Sequence, residues 1–255
     1  MSDFAVSSEA EAFSLQEREA LYKAIFARRD VRSQFLSKPV PEESLQRILD
    51  AAHHAPSVGF MQPWDFILVR SEAKRRAIKQ GFDAANARST EQFSGERRLH
   101  YQRLKLEGIL EAPLGICVTC DPSRTGPVVL GRTIKPEMDN YSAVCAVQNL
   151  WLAARAEGLG VGWVSILDDE VLRETLGIPE EIRIIAYLCL GRVSAFNDTP
   201  ELERKGWLPR RPLELAVHED GWQAAQQQQT DELLAEFLRQ RERQRERQRE
   251  RQSGK

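Results

Sequence analysis

The sequence predicts one folded domain in which a central sheet is covered by helices. Three observations lead to this fold class. Helical and strand patterns alternate between residues 14 and 222. The chain of 255 residues is 42% hydrophobic, which is enough to bury a substantial core. Its formal charge of −2, from 36 basic and 38 acidic side chains, gives no global reason to expect a nucleic acid or a membrane as its partner.

The two ends of the chain differ in composition from this domain. Residues 1–13, "MSDFAVSSEAEAF", lack the basic and then apolar layout of a signal peptide, and no apolar run reaches the ~18 residues of a bilayer span. We therefore expect a short tail and a soluble, cytoplasmic protein. Residues 223–255 are a Gln- and Arg-rich low-complexity tail with an Arg-Glu-Arg-Gln repeat, expected to be a solvated helix or disordered.

The first half of the domain is predicted to hold helices and one strand. "SLQE" at 14–17 has the spacing of a capping box and opens a helix that runs into "RRDVR". "PEESLQRILDAAHHAPS" begins with Pro41 and stops at Pro56, which is typical of a second helix. "WDFILVR" is a strand of apolar and aromatic residues, and "GERRLHYQRLKLEGILEA" an amphipathic helix.

The second half is predicted to hold three strands around a long and a short helix. "PLGICVTC", "VGWVSI" and "IRIIAYLCLG" are the strands, and the short helix ends at Gly177 and Pro179. "EMDNYSAVCAVQNLWLAARAEG" is the long helix. Its apolar stripe is too wide for a surface helix, so it is expected centrally or in a subunit interface; the face consists of Met138, Tyr141, Cys145, Gln148 and Leu152, beside Val144, Val147 and Trp151.

Three motifs that resemble chemical sites are better explained by structure. Cys117 and Cys120 have a CxxC spacing, but on a strand they point to opposite faces, so they are predicted to be buried apolar side chains. "GLGVG" has a helix before it and a strand after it, the wrong order for a dinucleotide loop, so Gly158 is expected to end the helix. His53 and His54 point about 100° apart, so they are expected to be helix-end histidines whose positive form suits that end, and no metal site is predicted.

The run "RRDVR" at 28–32 has two interpretations. Arginine forks bind phosphate with two hydrogen bonds at once, so Arg28, Arg29 and Arg32 suit a dianionic phosphate. They equally suit the basic end of an ordinary helix, with Asp30 as a salt-bridge partner. The arginines alone leave both interpretations open.

The run "HAPSVGFMQPWDFILV" predicts a turn between a helix and a strand. Pro56 and Ser57 break the helix, Gly59 allows an unusual backbone, and Gln62 leads into the strand. Such a turn places backbone amides and a hydroxyl beside a flat polar ligand, or it merely connects two elements.

Taken together and in this order, "RRDVR", "APSVGFMQPWDFI" and "NLWLAARAEGLGVGWVSI" resemble the FMN-binding nitroreductase family. The runs "RRDVRSQF", "PEMDNYSAVCAVQNLWLAARAEGLGVGWVSI" and "KGW…RPLE" resemble its flavin-consuming branch across nearly all of residues 14–222. The resemblance implies an α+β fold with a central mixed sheet flanked by helices. It also implies a homodimer whose chains exchange terminal segments, with two flavin sites at the interface.

The resemblance further implies which residues hold the flavin. The run around Val31 would hold the phosphate and ribityl end through Arg28, Arg29 and Arg32, joined by Arg210 from the segment "RPLELAVHEDGW". Ser57 would lie by the flavin ring, and Leu106 would be a weaker apolar contact. Asp30 and Ser165 are the residues that the branch ties to flavin fragmentation.

The activity implied by the branch is destruction of reduced FMN with dioxygen, giving 5,6-dimethylbenzimidazole, the lower ligand of cobalamin, and erythrose 4-phosphate. A separate reductase would supply reduced FMN. Asp30 lies beside the arginines and could act as a base on the sugar end, and Ser165 could hydrogen-bond the flavin edge. Phe60 replaces the family's asparagine in the turn, which suggests a closed, dry pocket. The alternatives are an FMN-dependent NAD(P)H nitro or quinone oxidoreductase and a non-catalytic flavin-binding protein.

Overall fold

The computed structural model describes residues 12–253, which divide into two compact units at the junction of Phe196 and Asn197. The tail predicted for residues 1–13 lies outside the described residues except for its last two positions. The predicted boundary between residues 222 and 223 lies inside the second unit. The division into a domain of residues 14–222 and a tail stays a prediction.

The first unit is built on one four-stranded sheet with the strand order β1-β2-β4-β3. The strands are β1 (Trp64–Val69), β2 (Leu114–Cys120), β3 (Leu159–Val164) and β4 (Arg183–Arg192). All three neighbouring pairs are antiparallel, so the expected mixed sheet is wrong for these strands. The parallel pairing within the described residues is an isolated bridge between Asp30 and Val161. An alternation of apolar residues fixes which side chains face a core, but it does not fix strand direction.

The described part of this unit, from residue 12 onward, contains six α-helices: α1 (Leu15–Ala27), α2 (Glu42–His53), α3 (Glu72–Glu91), α4 (Gly95–Gln102), α5 (Met138–Ala156) and α6 (Asp169–Leu176). The predicted capping box is confirmed. The Ser14 hydroxyl accepts from the Glu17 amide at 3.3 Å, and the Glu17 carboxylate accepts from the Ser14 amide at 2.9 Å. The predicted end of α6 is confirmed as well, because Gly177 closes it with a left-handed φ of 72°.

Two features of the helical layer differ from the prediction. Helix α3 was not predicted, because its 20 residues bury only Ile78, Phe82, Ala85 and Thr90 and so give a weak apolar pattern. The helix expected over residues 95–112 stops at Gln102. The rest of that segment is an irregular loop. Its Lys105 ammonium pairs with Glu107 and Glu111 at 2.5 and 2.6 Å, and the Glu107 carboxylate accepts from the Ile109 amide at 2.7 Å.

The sheet separates two apolar clusters, so both of its faces are buried. Along β2, Ile116, Val118 and Cys120 join the cluster under α2 and α5, whereas Cys117 joins the cluster that contains Ile78 of α3. The two thiols of the CxxC therefore lie on opposite faces, as the sequence predicts. Both cysteines are free, and burial raises the pKa of Cys117 to about 12 and that of Cys120 to about 11. A redox or zinc role for this motif has no geometric support.

The long helix α5 is buried against the sheet, as the sequence predicts, but through only part of the predicted apolar surface. Its buried face is made of small side chains such as Ala146 and includes Val147 and Trp151 of the predicted set. Tyr141 and Val144 of that set face outward instead, 55% and 41% exposed. A helix that is apolar on two sides gives two candidate stripes, and residue size decides which one reaches the sheet. The outward stripe stays available for a subunit interface.

The second unit contains α7 (Glu201–Arg204) and α8 (Ala224–Ser253). The Gln226 side-chain amide donates to the carbonyls of Glu214 and Val217 at 2.9 and 2.8 Å, which ties α8 to the preceding segment. Helix α8 covers nearly all of the low-complexity tail at residues 223–255, so of the two expected states, helix or disorder, the described residues adopt the helix. Within residues 12–253, no helix combines the length and the apolarity that crossing a bilayer requires. A cytoplasmic location stays a prediction.

Candidate functional site

The arginine run lies along the open edge of the sheet. Strand β3 is last in the strand order, so one side of its backbone is not paired with another strand. Residues just after α1 occupy that side. Asp30 forms the parallel bridge with Val161, and the Val31 amide donates to the Val161 carbonyl at 2.9 Å. Val31 is only 2% exposed, so its side chain packs in the core and is not accessible to a ligand.

Glycines in β3 let this segment approach so closely. A Cβ added to Gly162 would lie 2.1 Å from the Val31 carbonyl oxygen, and one added to Gly160 would lie 2.5 Å from a Val193 methyl carbon. A side chain at either position would therefore clash with this segment or its neighbour. Gly158, with φ 73°, follows α5 in the left-handed conformation that the sequence predicts. The glycine pattern therefore serves to place Asp30 against the strand.

Asp30 is held by one donor at each carboxylate oxygen. The Trp163 backbone amide donates to Oδ1 at 3.1 Å, and Arg32 Nη2 donates to Oδ2 at 2.7 Å. Burial raises the pKa of Asp30 above its usual value, against the opposing effects of Arg32, the Trp163 amide and Arg28. A partly buried carboxylate with a raised pKa accepts a proton more readily than an ordinary aspartate does.

Arg32 is turned into the protein toward Asp30. Its side chain is 11% exposed, and Nη1 also donates to the Lys105 carbonyl at 3.3 Å. Leu106 follows Lys105 in the chain and is half-buried against the second apolar cluster. The structure thus brings Asp30 and Arg32 into contact, and Leu106 is one residue along the chain from the carbonyl to which Arg32 donates. The salt-bridge interpretation of Asp30 is correct, although it does not exclude a chemical role.

The other two arginines have different neighbours. The Arg28 guanidinium lies over the Trp151 ring at 4.7 Å from its centroid. Arg29 Nη1 donates to the carbonyls of Phe26 and Arg28 at 2.7 Å each, which matches the helix-end interpretation. The Trp151 indole donates to the Arg29 carbonyl at 3.3 Å. Helix α5 therefore fixes the backbone that carries both arginines.

The turn after α2 has the unusual backbone that the sequence predicts at Gly59, and two further residues share it. Gly59, Phe60 and Gln62 all have positive φ, at 54°, 53° and 47°. The Ser57 hydroxyl accepts from the Gln62 amide at 3.1 Å, and the Val58 amide donates to the Ser142 hydroxyl at 3.0 Å. Ser142 lies nine residues before Trp151, or about 14 Å along α5. Ser57 and the arginines are thus attached to opposite ends of one helix, and no described contact joins them.

Ser165 is not joined to Asp30 by any described contact. Ser165 follows the end of β3 and is exposed, lining a cavity of about 290 Å³ with Arg88, Ser89 and Gln92 of the α3 end. It lies two residues beyond the Trp163 amide that holds Asp30. Arg210 is exposed in the second unit. Their expected roles stay predictions.

Two expectations about the turn change in the structure. Phe60 is 79% exposed, so its ring does not close a dry pocket within this chain. His53 accepts a hydrogen bond at Nδ1 from the Trp64 indole at 3.1 Å. His53 therefore contacts a strand side chain through this nitrogen, rather than a carbonyl of its own helix end. His54 does fit the prediction, because its Nδ1 lies 2.7 Å from the Asp50 carbonyl at the helix end.

Sequence reasoning missed three residues that shape this site. They are Trp151 under Arg28, the Trp163 amide at Asp30, and the Lys105 carbonyl at Arg32. A signal existed only for Trp151, whose helical spacing placed it beside the apolar stripe. The other two act through backbone atoms, and residue type carries no information about those.

Known proteins resemble this chain both in sequence and in fold. The nitroreductase family profile matches residues 25–192. The chain is 47% identical over 185 residues to a 5,6-dimethylbenzimidazole synthase of Rhodospirillum rubrum, an alignment that covers 72% of this chain and 87% of that protein. It is 38% identical over 202 residues to a protein of the same name from Rhodobacter capsulatus, with coverages of 79% and 97%.

A solved structure shares the fold at lower identity. Iodotyrosine deiodinase bound to FMN and 3-iodo-L-tyrosine superposes with a TM-score of 0.63 at 23% identity, covering 79% of this chain and 100% of that one. The profile match spans more than half of the sequence, including the arginine run, the turn and all four strands. This chain belongs to the nitroreductase family.

Proposed function

We propose that this chain is a 5,6-dimethylbenzimidazole synthase, which fragments reduced FMN with dioxygen into 5,6-dimethylbenzimidazole and erythrose 4-phosphate. The observation that carries the proposal is Asp30, a carboxylate held in place inside a cationic run. A protein that only binds FMN has no need of a partly buried carboxylate beside the site for the phosphate. The 47% identity to a protein with this name supports the same function.

The residues of the run fit the anionic end of FMN. Three guanidinium groups against one carboxylate leave residues 28–32 with net positive charge, and their backbone is fixed by β3 and α5. Arg28 and Arg29 are the proposed phosphate ligands, with Arg210 as a further one. Val31 is proposed to act through its packing, and Leu106 and Ser57 to line the flavin.

When bound, reduced FMN would supply both the electrons for dioxygen and the carbon skeleton of the product. Asp30 would take a proton from the sugar end, because it lies within the arginine run that fits the phosphate. Its two hydrogen bonds fix the direction in which its free lone pairs point. Ser165 would donate a hydrogen bond from the end of β3 toward the flavin edge.

Two apolar faces support the proposed homodimer. Helix α1 buries none of its residues, and Phe26 and Tyr22 on it are 73% and 52% exposed. Isolated helices of this length are marginal in water, so α1 needs a surface to pack on. The outward stripe of α5, with Tyr141, is such a surface on a second copy. A second copy could also cover Phe60 and so dry the flavin site.

We therefore expect the chain to sediment at twice its 29.1 kDa mass. Phe26→Asp or Tyr141→Asp should shift it toward the monomer, because each would bury a charge in the interface. The matched control is Leu99→Asp, which changes a leucine that is 52% exposed on α4. Sedimentation of the unmodified chain at 29.1 kDa would contradict the dimer.

The function itself is tested by supplying excess reduced FMN in air. A separate flavin reductase with NADH keeps the FMN reduced, and mass spectrometry follows flavin and product. We expect 5,6-dimethylbenzimidazole to accumulate as FMN disappears. In a reaction without the protein, we expect no benzimidazole and no loss of FMN. Complete recovery of FMN with no benzimidazole would refute the synthase.

The exposed Phe60 favours one competing function, an NAD(P)H-dependent nitro or quinone oxidoreductase, because such an enzyme needs an open flavin face. In that case NAD(P)H oxidation would proceed with a quinone acceptor and without the added reductase, and FMN would survive. If FMN binds but neither reaction occurs, the chain is a flavin-binding protein without catalysis.

A further inference from the structure

Arg32 differs from the other arginines of the run in what its guanidinium contacts. We propose that Arg32 is a positioning residue, which keeps the Asp30 carboxylate charged and fixed in direction, rather than a ligand of the FMN phosphate. The chemical purpose of this arrangement rests on the proposed function. The arrangement itself does not, because it is a property of the chain without flavin.

The geometry of Arg32 argues against a phosphate role. One terminal nitrogen donates to Asp30 at 2.7 Å, and the other donates to the Lys105 carbonyl at 3.3 Å. A guanidinium binds phosphate best through two parallel N–H groups, and here both terminal nitrogens are engaged. The side chain is also only 11% exposed, so a phosphate would have to enter the protein interior to reach it.

Arg32 is the largest single influence that favours the charged form of Asp30. The charged or titratable groups that face it are Arg28 and Arg32 from the same segment and Cys189 from β4, whose thiol is fully enclosed and stays neutral because burial raises its pKa. Burial pushes the pKa of Asp30 upward, and Arg32 is the largest opposing influence. Without Arg32, the Trp163 amide and the charge of Arg28 would be left to oppose the effect of burial.

The sign of the pH effect follows directly. A general base works in its deprotonated form, so activity is lost as the pH falls through its pKa. Removing Arg32 raises the pKa of Asp30 further and moves this acidic limb to higher pH. A phosphate ligand would instead change the affinity for FMN at every pH.

Two variants test the proposal, Arg32→Gln and Arg32→Lys, with Arg47→Gln as the control. Arg47 forms an ion pair with Glu157 at 2.7 Å away from the site. The affinities of the chain for oxidised FMN and for riboflavin, which lacks the phosphate, are measured by fluorescence. We expect the ratio of the two affinities to stay within about twofold in Arg32→Gln, because no phosphate contact is lost. A fall in this ratio of about tenfold or more would show that Arg32 holds the phosphate and would overturn the proposal.

The second readout is the pH profile of benzimidazole formation. In Arg32→Gln we expect about a tenfold or larger loss at pH 6 and recovery to within about threefold of the unmodified chain at pH 9. Arg32→Lys keeps the charge without the fork, so its loss at pH 6 should be smaller, and Arg47→Gln should not change the profile. An equal loss at both pH values would contradict the proposal.

Carbon-13 NMR of the Asp30 carboxyl in the flavin-free chain separates this inference from the proposed function. The carboxyl should titrate at higher pH in Arg32→Gln than in the unmodified chain, whether or not any benzimidazole is made. If it titrates at the same pH in both, Arg32 does not set its charge. If the shift occurs but the unmodified chain makes no product, only the proposed function fails.

Discussion

Replacing Asp30 by asparagine should abolish benzimidazole formation while FMN still binds. Asparagine keeps the size of the side chain, and its amide oxygen can still accept from the Trp163 amide. It cannot take up a proton at this position. Loss of a general base costs about 10²–10⁴-fold in rate, so we expect a fall of about 10³-fold in product formed per minute under saturating reduced FMN.

Two controls separate chemistry from folding. Asp65→Asn removes a carboxylate that pairs with Arg124 at 2.5 Å on β1, and it should leave product formation unchanged. The affinity of Asp30→Asn for oxidised FMN, measured by fluorescence, should stay within about threefold of that of the unmodified chain, since one repulsive charge near the phosphate is also removed. If affinity and rate fell together by the same factor, Asp30 would be a binding residue only. Product formation at the unmodified rate would exclude it from both roles.

The sequence predicted the elements whose signals are local. The start of α1 depends on Ser14 and Glu17, which are three residues apart, and both residues make the bonds that the spacing implies. The strands of the sheet were all found because each is a short apolar run between breakers. Helix α3 was missed since it has one narrow apolar stripe in a mainly polar segment, and its place over the sheet is decided by the packing of Ile78 and Phe82.

The residue types of the site could be predicted from the sequence, but the contacts between them could not. The cationic run and the turn at Ser57 could be found because they are contiguous in sequence. The partners that separate the roles of the arginines are remote: the Trp163 amide is 133 positions from Asp30, and the Lys105 carbonyl is 73 positions from Arg32. Both are backbone groups, so only the fold shows that one arginine of the run faces the aspartate.

Among residues without a chemical role, Gly162 is the one whose substitution is expected to have the largest effect on stability. Its hydrogen occupies the space where the segment after α1 approaches β3. The Cβ of an alanine would lie 2.1 Å from the Val31 carbonyl oxygen, a backbone atom that cannot rotate away. Overpacking of this kind costs about 1–3 kcal/mol and sometimes more, so we expect Gly162→Ala to lower the free energy of unfolding by about 3 kcal/mol. Urea denaturation measures this loss.

Gly162→Ala should also stop product formation in the molecules that stay folded. To relieve the clash, the segment must move away from β3, and Asp30 then loses the Trp163 amide that fixes one of its oxygens. The control is Gly221→Ala, where an added Cβ meets nothing within 4 Å and φ is not left-handed, so stability should change by less than about 0.5 kcal/mol. Should Gly162→Ala unfold at the unmodified urea concentration and still make benzimidazole, the close contact with β3 would not be what positions Asp30. Loss of product with full stability would instead mean that the segment moves at little cost, and that placement of the carboxylate alone limits the reaction.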